Sequence, residues 1–213
     1  MRTRLLLAGI LLATYSTLVP AALIDRGNGM IYDDVLGITW LQNASFGLGS
    51  VFDGGLNDTD GLMTWDSAVA WVETLSYGGF EDWRLPSMDL NQDLQIVNCT
   101  TATELACRDN ELGHLFYHSL MGVYFDDFTG DQDLFMNIQN VHWSGTEFAG
   151  NLDTAWSFGF GLGVQSPAGK LGNYGAWAVH AGDVAAIPLP AGVWLFGSGL
   201  LVLLGLHCDG RKN

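Results

Sequence analysis

Two stretches of the chain place side-chain oxygens in the spacing a hard cation uses. The first is Asp53, Asn57, Asp58 and Asp60 with Gly61; the second is Asp126, Asp127, Asp131 and Asp133 around Gly130. Ca²⁺ takes six to eight oxygens, and alternating Asp and Asn beside a glycine supply several from one tight loop. Neither stretch completes an EF-hand, because no bidentate Glu follows at the required position. Calcium is therefore an expected optional ligand rather than a required cofactor, and a solvated loop of an acidic protein is the competing reading. Glu111, His114 and His118 share an arc of a helical pattern and could ligate a transition metal. The H-E-x-x-H order is absent, no further ligand is evident, and a polar helix face explains them as well.

Other candidates point to binding. Arg84 is one of few basic residues and could clamp a ligand carboxylate, or equally be a structural arginine held by neighbouring acids. Trp143, Trp156 and Trp177 could stack on sugar rings, against the alternative that they pack in a core. Catalytic signatures are missing: there is no Gly-x-Ser-x-Gly elbow, P-loop or nucleotide fingerprint. A carboxylate pair for glycoside hydrolysis cannot be singled out among so many acids. A non-enzymatic role is expected.

The ends of the chain supply an address. Residues 1–22 run from Arg2 and Arg4 through an apolar stretch to small residues, the pattern of a secretory signal peptide cleaved after Ala21 or Ala22. Residues 191–206 are uncharged and apolar, and Arg211 and Lys212 follow them. That length is marginal for a bilayer core of about 30 Å, and the basic end favours a cytoplasmic C-terminus. The expected organisation is a signal peptide (1–22), one domain (23–186) and an anchor tail (187–213).

Charge narrows the partners further. The chain has 23 acidic and eight basic residues, but four of the basic ones lie in the two ends. Only Arg26, Arg84, Arg108 and Lys170 remain between them, against 22 acids, a net charge near −18. Such a field repels nucleic acid and sulfated polyanions. Abundant Trp argues against disorder. In an oxidising compartment Cys99 and Cys107 would close a short disulfide loop, or else stand as two lone thiols.

The elements that must position these residues follow from periodicity. Met30 to Tyr32 and Ile38 to Leu41 read as strands around an Asp33–Gly37 turn. Trp65, Ala68, Trp71, Val72 and Leu75 recur as a helix face, with Thr64 as cap and Gly78–Gly79 as stop. A second helix is expected from Ser87 through Val97, and a third under Leu112, Leu115, Phe116 and Leu120. Trp156, Phe158 and Phe160 alternate along a strand, residues 161–172 read as a loop, and Tyr174 to His180 as its partner strand. The fold class expected is α+β, helices in the first half and antiparallel sheet in the second.

Two resemblances add to this reading. Ile187-Pro188-Leu189-Pro190-Ala191, the apolar run and the basic end resemble the PEP-CTERM class of bacterial sorting signals, in its VPLPA variant. That resemblance implies an exosortase-type enzyme and the inner membrane as partners, in a Gram-negative host that secretes polysaccharide. Tyr32-Asp33-Asp34, Gly37-Ile38-Thr39-Trp40, Asp82-Trp83-Arg84-Leu85-Pro86, His142-Trp143-Ser144-Gly145-Thr146 and Ala176-Trp177-Ala178-Val179 resemble the Lcl C-terminal domain family. The family resemblance implies a single C-type-lectin-like domain and adhesin-like binding of glycan or extracellular matrix. A structural or assembly protein of the envelope, and a cryptic hydrolase, are the alternatives. His180 stands where the family often has Arg, and the acidity of the domain disfavours the family's sulfated ligands.

Overall fold

A computed structural model describes residues 23–54, 59–122 and 130–184. Strands dominate it. β1 (Leu23–Gly27), β2 (Met30–Asp33) and β3 (Ile38–Leu41) form successive antiparallel pairs, and β9 (Val179–Ala181) closes this sheet against β3. The second sheet has the order β4 (Leu62–Met63), β8 (Tyr174–Gly175), β5 (Val141–Glu147), β6 (Thr154–Gly159), β7 (Val164–Gly169). Its β5–β8 pairing is parallel and its other pairings antiparallel.

Local chemistry sets the turns. Asp33 Oδ1 accepts the N–H groups of Val35 and Leu36, and Gly37 takes φ +66°, so β2 folds back on β3. Thr64 caps α1 (Trp65–Thr74) by accepting from Ser67 N–H, and Asp66 sits favourably in the first turn. Trp71 and Val72 face the core from α1, and Gly78 and Gly79 follow it at positive φ. Two further helices are single turns, α2 (Glu104–Cys107) and α3 (Glu111–His114), the latter continuing into a π-helical turn, Leu115–Ser119.

The arrangement corrects the expected fold class. In place of an α+β, C-type-lectin-like arrangement there are nine described strands in two sheets and a few short helices. The domain opens in sheet, and α2 and α3 fall late, so helices are not gathered in the first half. Ser87 to Val97 is irregular rather than helical. Asp89 accepts the N–H groups of Asp93 and Leu94, Asn91 Oδ1 also accepts that of Asp93, and Gln92 and Leu94 sit at positive φ. Asp and Asn side chains that bind nearby amides in this way compete with a helix. Residues 161–172 contain β7, whose exposed, Pro167-bearing edge carries no alternating signal. The 174–180 run does not pair with β6; it crosses from one sheet to the other as β8 and β9. No helix among the described residues is long and apolar enough to cross a membrane, and 191–206 lie outside them, as do 1–22 and 187–190.

The core holds Trp40, Trp143, Trp177, Phe116, Phe158 and Phe160, all but fully buried. Each large apolar side chain contributes about 1.5–3 kcal/mol on burial. His142 lies among them, 5.2 Å from Trp177 and 5.4 Å from Phe160 between ring centres. Its Nε2 accepts the Gln139 N–H, and burial pushes its pKa down to about 3. Asp33 is buried as well, and burial raises its carboxyl to about 6 against the bonds from Leu36 and Val35.

Those two groups act on stability with opposite signs. A histidine depressed from 6.5 to about 3 contributes stability above 6.5 that is lost as pH falls toward 3. An aspartate raised from 3.8 to about 6 contributes stability below 3.8 that is lost as pH rises through 6. Asp33→Asn keeps an oxygen for Val35 and Leu36 and removes the titration. Chemical denaturation at pH 4.5 and 7.5 is expected to show the stability of the Asn variant rising relative to wild type at the higher pH, by about 2 kcal/mol. An unchanged difference would mean that Asp33 titrates normally.

Candidate functional site

The segment that carries Arg84 is pinned from three sides. Arg84 N–H and C=O pair with Val179 of β9, at 2.9 and 2.8 Å. Gly145 of β5 donates to Pro86 C=O, and Met88 N–H donates to Thr146 Oγ1. Glu111, the first residue of α3, completes the clamp. Its carboxylate accepts from Arg84 Nη1 and Nη2 at 2.7 Å each and from Ser87 N–H at 2.7 Å. Glu111 is fully buried while the Arg84 side chain is 37% exposed. A bidentate pair of this kind is strong and directional.

This geometry decides the reading of Arg84. Its fork is occupied by Glu111, and Nη1 also donates to Leu85 C=O. It is a structural arginine that borders a cleft, with its charge matched inside the protein. Glu111 is thereby separated from the histidines it was grouped with. His114 is fully buried, and its Nε2 lies 3.1 Å from Glu104 Oε1. The His114 and His118 rings lie 5.1 Å apart, and burial lowers the pKa of both. Glu111, His114 and His118 therefore do not converge as a ligand set.

Two of the three tryptophans are also reassigned. Trp143 is buried and donates Nε1–H to Met63 C=O at 2.8 Å, and Trp177 is buried and donates to Leu41 C=O at 2.7 Å. Both are core residues whose polar edge is satisfied by backbone, so neither faces a ligand. Trp156 differs. It is half-buried, set edge-on to Phe148 at 5.5 Å, and it lines a cleft of about 340 Å³. Ile96, Asn98, Glu147 and Gln165 complete that cleft's walls.

A second cleft, of about 390 Å³, lies between α1 and the Trp83–Leu90 segment; Arg84 lines it. Asp89 borders both clefts, so the 87–98 loop forms the ridge between them. Leu90 N–H and Asn91 N–H hold this loop to Asp109, through its backbone carbonyl and its Oδ1.

The acidic loops named from sequence resolve differently. Asp53 is buried and accepts the N–H groups of Gly49 and Gly61, so it braces its own loop. Asp60 accepts from Leu62 N–H. Asn57, Asp58, Asp126 and Asp127 lie outside the described residues, and Asp131 and Asp133 are exposed. Among the described residues the carboxylates that come together are Asp89, Asp93 and Asp109, with one oxygen from each within 4.8 Å of the others. Three such oxygens are the right chemistry to hold a hard divalent cation. Sequence reasoning missed them because Asp109 joins Asp89 and Asp93 only through the tertiary fold, although the Asp-x-Asn-x-Asp spacing of 89–93 was visible. Cys99 and Cys107 are joined as a disulfide that closes a loop running from just after Asn98 of the Trp156 cleft to the end of α2.

Taken with this fold, the sequence places the chain in a class of domain rather than beside a particular relative. The sequence model of the Lcl C-terminal domain family matches residues 29–180. The chain belongs to that family. No curated protein matches it, and no solved structure does.

The clamp predicts its own failure mode. Glu111→Gln keeps the size of the side chain but leaves Arg84 without its counter-charge and weakens the bond to Ser87. Removing one partner of a buried pair costs about 3–5 kcal/mol, reduced here because Arg84 is partly solvated. A loss of about 2–3 kcal/mol is expected in urea unfolding. The double variant Arg84→Met with Glu111→Leu should recover part of it, and a single change without effect would show the clamp to be incidental.

Proposed function

We propose that this chain is an exported, envelope-anchored, non-enzymatic module that binds an uncharged glycan, or matrix bearing one, through the cleft of Trp156. The observation that carries the reading is that cleft. A half-buried indole set at a corner with Phe148 offers an apolar face, and Asn98 and Glu147 stand beside it as polar groups for hydroxyls. Aromatic surface next to a few polar groups is the composition of a small-ligand site, and the volume falls in the range such sites occupy.

Charge supports the uncharged ligand. Arg26 pairs with Asp183, Arg84 with Glu111, Arg108 with Glu104 and Lys170 with Glu147. Every basic residue of the domain is thus matched, which disfavours sulfated or uronic polymers. The signal-like start, Ile187–Ala191 and the apolar run would deliver the domain across the inner membrane, with an exosortase-type enzyme handling the tail. Calcium assistance fits the gathered carboxylates of Asp89, Asp93 and Asp109 and is decided by the same experiment.

A glycan array probed with the purified chain, in calcium and again in chelator, is expected to give saturable binding to neutral glycans and none to sulfated ones. Trp156→Ala should weaken it at least about tenfold, the size of a central aromatic contact, while Trp156→Phe retains most of it. Loss in chelator would make calcium part of the site. Silence in both conditions would move the function to display or assembly in the envelope.

A further inference from the structure

We propose that the other cleft, between α1 and the Trp83–Leu90 segment, binds a small organic cation: an ammonium group carried on an apolar body. Its walls divide by chemistry. Trp65, Val69 and Val72 from α1, with Leu90 opposite, are apolar. Glu73 and Asp89 bring carboxylates to the same space. Among the described residues Arg84 is the one cation lining it, and Glu111 holds that guanidinium through two bonds at 2.7 Å. Neither Glu73 nor Asp89 takes part in an ion pair among the described residues. The cleft therefore has two carboxylates without a cationic partner at its walls, Glu73 exposed and Asp89 buried with its oxygens on the amides of Asp93 and Leu94.

The rest of the molecule reinforces that sign. Arg26 and Arg108 are engaged by carboxylates elsewhere, and Lys170, at the Trp65 end of the cleft, has its charge matched by Glu147. The indole of Trp65 already accepts an ammonium on its ring, with Lys170 Nζ at 4.2 Å from the ring centre. A space of about 390 Å³ is in the range that holds a small molecule. An anion would enter against two carboxylates and the net charge of the whole domain. A neutral molecule of the same shape would gain only the apolar contact. The cation gains both, and charge complementarity is what singles it out. The inference does not use Trp156, which carries the glycan reading in the neighbouring cleft; the two share only Asp89 at their common wall.

The test uses three probes of one shape: 2-phenylethylamine, 2-phenylethanol and 3-phenylpropionate. Each is titrated into the full-length chain while the indole N–H resonances of Trp65 and Trp156 are followed by NMR, assigned with Trp→Phe variants. The amine is expected to shift the Trp65 signal saturably and to bind about five- to tenfold more tightly than the alcohol. The carboxylate should leave it unmoved, and added salt should narrow the advantage of the amine. Glu73→Gln, at an exposed position that does not threaten the fold, should weaken the amine about threefold. Asp153→Asn, the same charge change outside both clefts, should not. Equal binding of amine and alcohol, a Trp65 signal that no probe moves, or equal effects of the two variants would overturn the proposal. A shift of Trp156 alone would also overturn it, and would leave the glycan cleft untouched as a separate question.

Discussion

The buried carboxylate of Glu111 is where the architecture meets. From one side it takes both arms of Arg84, whose own backbone is stitched to β9 of the first sheet. From another it takes the Ser87 amide, at the point where the chain leaves its extended course for the ridge loop. Glu111 itself begins α3, and that single turn runs into the π-helical turn that buries Leu115 and Phe116. An ion pair so enclosed is seldom the cheapest way to stabilise a core, since apolar residues of equal size often do as well. What it adds is direction. Three donors converge on one carboxylate, which fixes the angle at which the Trp83–Pro86 segment passes between the two sheets. The ridge loop, and with it both clefts, inherits that angle.

The ridge loop is an unusual use of acidic residues. Asp89 turns its oxygens inward to the amides of Asp93 and Leu94, and Asp109 takes the backbone N–H of Asn91. Carboxylates here substitute for the regular hydrogen bonds that a helix would have supplied, so the segment is ordered without repeating structure. The arrangement draws Asp89, Asp93 and Asp109 close together, and their mutual repulsion is offset by the amides they accept. The same loop that separates the clefts thus concentrates negative charge at their common wall, beside a domain whose four cations are already matched.

What could be read in the sequence was what local pattern controls. The β2–β3 hairpin with its Asp33–Gly37 turn, and the helix under Trp65, Ala68, Trp71 and Val72, follow from periodicity and capping and are seen in the structure. The Trp83–Pro86 segment is extended as a residue before proline requires. Long-range choices were not legible. Ser87 to Val97 has a cap residue and apolar spacing, yet its Asp and Asn side chains outbid the helix for the backbone. β7 hides because an exposed edge strand with a proline shows no alternation. The tryptophans mislead for a related reason: composition cannot tell an indole whose N–H finds a core carbonyl, as in Trp143 and Trp177, from one left at a surface corner, as in Trp156.

The clefts were invisible for a deeper reason, which also bears on what the domain can do. Neither is built on one element. The Arg84 cleft draws on α1, the Arg84 segment and Gly145 of β5; the Trp156 cleft on the ridge loop, β5, β6 and Gln165 of β7. Both sheets serve mainly to hold their loops and edges in register, while the large aromatic side chains that look like binding equipment are used to fix the sheets to one another. The recognisable family motifs, Trp83–Pro86, His142–Thr146 and Ala176–Val179, fall on this scaffold and are mostly buried. Arg84, Gly145 and Thr146 of those motifs reach the cleft walls, whereas other lining residues, such as Glu73, Asn98 and Gln92, lie outside them. A scaffold held by buried residues leaves exposed ones open to change without loss of fold, since surface positions away from such features contribute little to stability. Ligand choice in this architecture can therefore vary at residues the motifs do not contain, and membership of the family fixes the frame without fixing the ligand.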